Sequence, residues 1–227
     1  MFIDSAELEH RSVVNARVCI VGAGPAGITL ARELAEAKVD TVLLESGGRD
    51  YDDDTQRLYA GDHAGVPYMP LDGTRLRYLG GSSNHWGGQS HPFDPEDFQQ
   101  REWIPHSGWS IDYDDYRRYV PRAQALCGLG DEPFPWAFWK MKGVRWPVEE
   151  TEIEPILQRY PKTVPKFGEV FANDLAKARA LRCVFHANVL RFVTDPAGNN
   201  VTHVDVSSLE GRRFTVQAGN FVLATGG

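Results

Sequence analysis

The spacing of apolar and polar positions changes several times along the chain, and each change marks an element. Residues 18–21, VCIV, form a short unbroken apolar run with the length of a buried strand. Ile28, Ala31, Leu34 and Ala35 then recur at helical spacing, and residues 41–44, TVLL, make a second buried-strand run that ends on Glu45. Residues 1–16 lack such a run and read as a surface arm leading to the first strand. Residues 46–54 read as a polar turn, and residues 55–74, with Gly61, Gly65, Pro67, Pro70 and Gly73, as an extended excursion. A helix is predicted from Asp112, capped by Ser110 or Asp112, with Tyr116, Tyr119, Val120, Ala123 and Leu126 on its period and Gly128 and Gly130 closing it. A further helix is predicted over 168–180, with Val170, Leu175 and Ala178 as its apolar contacts. The remaining chain is strand-rich: 181–186, 188–193, 201–209, 213–217 and 220–224, with a turn at 195–200.

Between the first strand and its helix lies Gly22-Ala23-Gly24-Pro25-Ala26-Gly27, a G-x-G-x-x-G turn in the setting that gives such a turn meaning. Gly22 permits the tight turn, Gly24 lets a pyrophosphate approach the backbone, and Gly27 removes a side chain where helix meets strand. Pro25 suits the first helical turn, because its missing N–H has no intrahelical partner there. Glu45 lies near the expected ~20 residues downstream, where a carboxylate accepts hydrogen bonds from the hydroxyls of an adenosine ribose. Strand, turn, helix, second strand and terminal acid in register point to an adenine dinucleotide.

Composition narrows the class. The 227 residues are 42% hydrophobic, enough for a real core, and the net charge of -7 argues against a general affinity for nucleic acid or anionic membrane. The bases among Phe134, Trp136, Phe138, Trp139 and Trp146 do not overturn that, and these rings read as core or as a substrate-side surface. Cys19, Cys127 and Cys183 have no metal-like spacing and read as buried reduced thiols. The acidic run at Asp50 and Asp52–Asp54 reads as a solvated loop rather than a cation site. The first residues show neither a signal peptide nor a membrane span, and a cytoplasmic setting is expected.

A second glycine-rich stretch, residues 75–92, crowds Gly80, Gly81, Ser82, Asn84, His85 and Trp86 into a loop that reads, by itself, either as a nest of amides for phosphate oxygens or as a tight structural loop. His85 does not sit in a G-x-S-x-G elbow, and with His91 it makes no metal-ligand pattern, so hydrolase and metalloenzyme readings lose support. Together, VGAGPAGITLARELAEAKVDTVLLESGG and YLGGSSNHWGG resemble the glucose-methanol-choline oxidoreductases, FAD enzymes that oxidise alcohols and sugars. The nearest branch holds the pyranose oxidases and related bacterial sugar dehydrogenases. The segment 92–110, with its Asp-Phe, Trp-x-Pro and Ser-Gly-Trp, resembles the same branch, with Trp103 and Trp109 expected to pack.

The resemblance implies an α/β, Rossmann-like FAD-binding fold with an antiparallel β excursion and an inserted, incomplete substrate-side subdomain. The expected divisions are 1–130 for the first part of the FAD-binding core, 131–180 for the aromatic-rich insertion and 181–227 for the β-rich return. It places Gly22, Gly24, Pro25, Ala26, Gly27 and Glu45 on the ADP half of FAD, and Gly80, Gly81, Ser82, Asn84, His85 and Trp86 along the pyrophosphate and isoalloxazine. Val189 would offer its backbone to adenine, and Ala224, Thr225 and Gly226 would form, with Gly227, the turn after the returning strand. In pyranose oxidases a Thr-His-Trp triplet carries the flavin covalently on its histidine. Here the triplet is Asn84-His85-Trp86, which keeps the histidine and not the threonine, so a covalent link through His85 is an expectation to test. The family's catalytic base is expected beyond Gly227, in a missing C-terminal half, and no residue is assigned that role. The expected partner is a small alcohol or sugar, with an oligomer left open. Three rivals stand beside this reading: an NAD-dependent dehydrogenase, a flavoprotein of another reaction class, and a noncatalytic nucleotide-binding module.

Overall fold

The computed structural model describes residues 1–147 and 155–226. In chain order the elements are β1 (Phe2–Asp4), β2 (Val13–Val21), α1 (Pro25–Glu36), β3 (Thr41–Leu44), and two short helices, α2 (Asp53–Gln56) and α3 (Leu71–Thr74). Then come α4 (Tyr113–Arg117), α5 (Val120–Leu126), α6 (Trp136–Met141), α7 (Phe167–Lys177), β4 (Leu181–Phe185), β5 (Asn188–Thr194), β6 (Val201–Ser207) and β7 (Arg213–Leu223). The chain forms two compact units, Met1–His85 with Lys166–Gly227, and Trp86–Pro165.

The first unit is built on one seven-stranded sheet in the order β1-β4-β3-β2-β7-β6-β5. From β1 to β7 the neighbours are parallel, and β7, β6 and β5 form an antiparallel meander. The burial of β2 follows from what covers it. Its first half alternates between exposed and half-buried, whereas Val18–Val21 is buried throughout. Cys19 and Val21 pack with Val42, Leu44, Val204, Val206, Phe214 and Val216, so the meander folds its apolar side against the parallel strands. Helices α1 and α7 pack on each other and on β3 and β4 respectively. Arg32 of α1 pairs with Asp174 of α7 at 3.0 Å and lies over the Phe171 ring at 4.1 Å.

Several expectations change. The 1–16 arm is not only surface: Phe2–Asp4 pairs with Cys183–Phe185 as the sheet's edge strand, and β2 already begins at Val13. The 55–74 excursion holds helical turns in α2 and α3, with Asp52 capping α2 by accepting from the Thr55 N–H at 2.8 Å. The segments predicted at 213–217 and 220–224 are one strand, β7, which pairs with β6 through Arg213–Gln217 and with β2 through Thr215–Leu223. In α7 the apolar face is Phe167, Phe171 and Leu175, spaced four apart; Val170 lies off that face and is 54% exposed.

In the second unit the predicted helix from Asp112 divides into α4 and α5. Pro121 cannot donate to a carbonyl one turn back, so the helix restarts with proline in its first turn. Phe93, Phe98, Trp109, Tyr113 and Tyr116 make a ring cluster with centroids 5.1–6.4 Å apart, and the Phe93 N–H donates to the Tyr116 hydroxyl. Trp109 packs as expected, but Trp103 is 78% exposed. Phe134 and Trp136 are buried.

Two predictions follow from this packing. Leu175 is fully buried, so Leu175→Ala lowers stability by about 2–5 kcal/mol. Val170→Ala shifts it by no more than about 0.5 kcal/mol, both read by urea titration. Burial pushes the thiols of Cys19 and Cys183 up to about 12. A thiol that ionises late when folded but at its ordinary value when unfolded stabilises the fold at low pH and ceases to as pH rises. Stability measured by denaturant titration therefore declines from about pH 9 toward 12, and replacing both cysteines by alanine flattens that decline.

Candidate functional site

The site forms where β2, β3 and β7 end together. The Gly22 N–H donates to Leu44 O at 2.7 Å and the Ala224 N–H to Val21 O at 2.8 Å, so the turn after β2 is held from both sides. Two side chains are forbidden by the approach of backbones. A Cβ on Gly27 would lie 1.9 Å from Gly22 O, and one on Gly22, whose φ is +102°, would lie 2.5 Å from Ala224 O. Gly24 differs: a Cβ there meets nothing within 4 Å, because it faces open space before the first turn of α1. The first-turn amides of α1 have no intrahelical acceptor and carry the positive end of the helix dipole, so that space suits an anion. Pro25 occupies the first helical position, as predicted, and Ala26 follows in the same turn.

Glu45 is 6% exposed and its carboxylate is anchored by the protein itself. One oxygen accepts from the Ala23 N–H at 2.8 Å; the other accepts from the Gly47 N–H at 3.0 Å and the Ser46 hydroxyl at 3.3 Å. A carboxylate offers about four acceptor sites, so capacity remains for a ribose hydroxyl. The bond to Ala23 ties the end of β3 to the glycine turn, a link the sequence did not reveal. Val189 stands in β5 opposite Val206 and packs against the buried cluster under the meander.

The second glycine loop closes on the first. The Gly80 N–H donates to Ala23 O at 2.8 Å, and a Cβ on Gly81 would stand 3.2 Å from the Gly24 Cα. Ser83, which lies within the 80–86 run, is the loop's buried anchor: its hydroxyl donates to Gly80 O at 2.6 Å and accepts from the Phe167 N–H at 3.1 Å. The Asn84 amide donates to Leu79 O at 3.0 Å, and the Ser82 hydroxyl accepts from the Leu76 N–H at 3.4 Å. His85 ends this 3-10 turn, its N–H on Ser82 O and its side chain exposed. Trp86 opens the second unit, where its indole donates to Pro165 O at 3.0 Å. Thr225 and Gly226 are exposed just past β7; Gly227 lies outside the described residues.

Residues 15–57 match the family model described as FAD binding domain. The structure resembles those of two solved oxidases in its fold. Pyridoxine 4-oxidase from Mesorbium loti matches with TM-score 0.54 and 20% identity, over 93% of this chain and 50% of that one. Formate oxidase matches with TM-score 0.53 and 20% identity, over 95% of this chain and 46% of that one. The fold is that of an FAD-binding domain. A formate oxidase from Aspergillus oryzae RIB40, with a mutation studied for its effect on FAD modification, matches with TM-score 0.53 and 19% identity over 95% and 46%. No curated protein matches the sequence. The chain thus spans about half the length of these oxidases. The expected cofactor, FAD, agrees with the family match, and the open cradle at Gly24 fits its pyrophosphate.

The two glycines of this turn are separable by experiment. Gly27→Ala costs about 1–3 kcal/mol of stability, because the new Cβ must displace the Gly22 carbonyl. Gly24→Ala leaves stability within about 0.5 kcal/mol but weakens FAD binding about tenfold or more, read by quenching of flavin fluorescence.

Proposed function

We propose that this chain is the cofactor-holding part of an FAD-dependent oxidoreductase that oxidises a CH–OH group of a sugar or another alcohol. The observation that carries the reading is the meeting of the two glycine loops, with Gly80 bonded to Ala23 and Gly81 set against Gly24, in front of the α1 N-terminus. One loop alone serves any adenine dinucleotide; the second extends the cradle past the ADP half, which favours FAD over NAD.

Each residue then has a task. Glu45 holds the ribose, Gly22, Gly24, Pro25, Ala26 and Gly27 shape the pyrophosphate site, and Ala224, Thr225 and Gly226 close its far side. Gly80, Gly81, Ser82 and Asn84 form the second wall, leading to His85 and Trp86 at the flavin end, and Val189 offers its backbone to adenine. When bound, FAD supplies the acceptor for the hydride that leaves the alcohol carbon. The exposed His85 imidazole is the group that would carry a covalent flavin. The resemblance puts the base that takes the hydroxyl proton in the half of the relatives' length that this chain does not span, so residues 1–227 alone bind FAD without oxidising alcohols. The aromatic-rich stretch that begins at residue 131 is the substrate-side part, the rings of Phe138, Trp139 and Trp146 offering faces of the kind that stack on sugars. Three unpaired cysteines fit a reducing compartment such as the cytoplasm. Among the described residues no helix is long and apolar enough to cross a membrane.

The test is flavin uptake by the purified protein. FAD titrates in with quenched fluorescence and NAD fails to compete; competition by NAD at comparable concentration would favour the dehydrogenase reading instead. Denaturing the loaded protein releases the colour if His85 is unlinked and retains it on the polypeptide if the bond has formed.

A further inference from the structure

One turn touches every part of the cradle, and its conformation is set from outside. Residues 45–48 run from the ribose carboxylate to Gly48, whose carbonyl accepts from the Leu79 N–H at 3.0 Å at the start of the second glycine loop. On the opposite side the turn is held by the corner between β4 and β5. There the His186 N–H donates to Gly47 O at 2.9 Å and the Ala187 N–H to Glu45 O at 2.9 Å. These two amides point at the turn because His186 is left-handed, with φ +53°, a conformation rare outside glycine.

The side chain and carbonyl of His186 are gripped in turn by β1 and the residue after it. His186 Nδ1 lies 2.7 Å from Asp4 Oδ2, and the Ser5 hydroxyl donates to His186 O at 3.0 Å. Burial pushes the Asp4 carboxyl up, but the Ala6 N–H and the His186 ring outweigh it and hold it below its ordinary value. Asp4 is therefore an acceptor at neutral pH, and Nδ1 is the donor. The far edge of the ring abuts Gly48, where a Cβ would stand 2.8 Å from His186 Nε2. The same ring borders a cavity of about 280 Å³ that also reaches Ser46, Asp52 and Glu210. The side chains of His186 and Asp4 are 38% and 40% exposed, so neither fills the core.

We propose that His186, oriented by Asp4, is a positioning residue for the cofactor: it fixes the 45–48 turn so that Glu45 meets the adenosine ribose and Gly48 holds the second glycine loop. The inference rests on the reading of the site as an FAD cradle. Its separate content is that a half-exposed pair away from the glycine turn sets the affinity for the ADP end.

A set of substitutions at two positions tests this, with FAD and ADP as titrants and thermal melting of the unliganded chain measured alongside. His186→Gly keeps the left-handed backbone and loses the donor, so affinity for FAD and for ADP falls together by about tenfold. His186→Asn tolerates the same φ and places an amide N–H near the Nδ1 position, so it restores most of that loss. Asp4→Ala weakens binding by a similar factor, and Asp4→Ala with His186→Gly is no worse than either alone. A melting point that drops while both affinities stay within about twofold of wild type would overturn the inference and leave the flavin reading standing. So would an Asn variant no better than Gly. If His186→Gly does not fold, Asp4→Ala, which leaves the corner's backbone residue unchanged and removes the acceptor, decides the matter by the same affinities. A wild-type chain that takes up neither FAD nor ADP removes the cradle reading and the positioning role with it.

Discussion

Three backbones share one small volume where β2 hands over to α1, and the cradle depends on their being able to do so. Helix α1 approaches the turn at Gly27, and the segment after β7 approaches it at Gly22, in both cases closer than any side chain permits. That exclusion brings the open end of α1 to the carboxyl edge of the sheet. There Gly24 alone of the three glycines keeps free space before it. Packing that is dry and tight on one side of the turn therefore leaves the open, positive end of α1 facing free space on the other.

Around that contact the protein uses backbone amides as its working groups. Ala23 gives its N–H to Glu45 and its carbonyl to Gly80, so one residue couples the buried carboxylate at the end of β3 to the second glycine loop. Glu45, Gly47 and Gly48 extend the coupling to the β4–β5 corner. The side chains that matter most are buried: Glu45 ties the turn after β3 to the first glycine loop, and Ser83 ties the second loop to the start of α7. Such preorganisation reduces the ordering that a long dinucleotide must impose when it binds.

What the sequence made legible was whatever is local and periodic. The β2-α1-β3 unit was readable because strand run, glycine turn, helical stripe and terminal acid all lie within one short stretch, and β3 falls on residues 41–44 as expected. The meander was readable from alternation, although the pattern broke β7 in two at Ala218 and Gly219, residues too small to show a face. Other features depend on partners far along the chain. Phe2–Asp4 is too short for a pattern and becomes a strand only because β4 is beside it. The phase of α7 could not be chosen between Val170 and Phe171 without the helix it meets. The site residues named from the motifs were legible as types; the bonds joining Ala23 to Glu45 and His186 to Asp4 were not, since nothing in a linear pattern records which loops touch.

Strand β7 has a consequence in time. It is synthesised long after β2, yet it lies beside that strand, and its exit supplies the Ala224 amide that closes the first glycine turn. Until then β2 has an open edge and its turn lacks one of its two supports. Pairings of such sequence separation form slowly, because chain entropy must be lost before they reward it. The first glycine turn is thus complete only once β2 and β7 have met across a long stretch of chain, and a firmly held turn reports that they have.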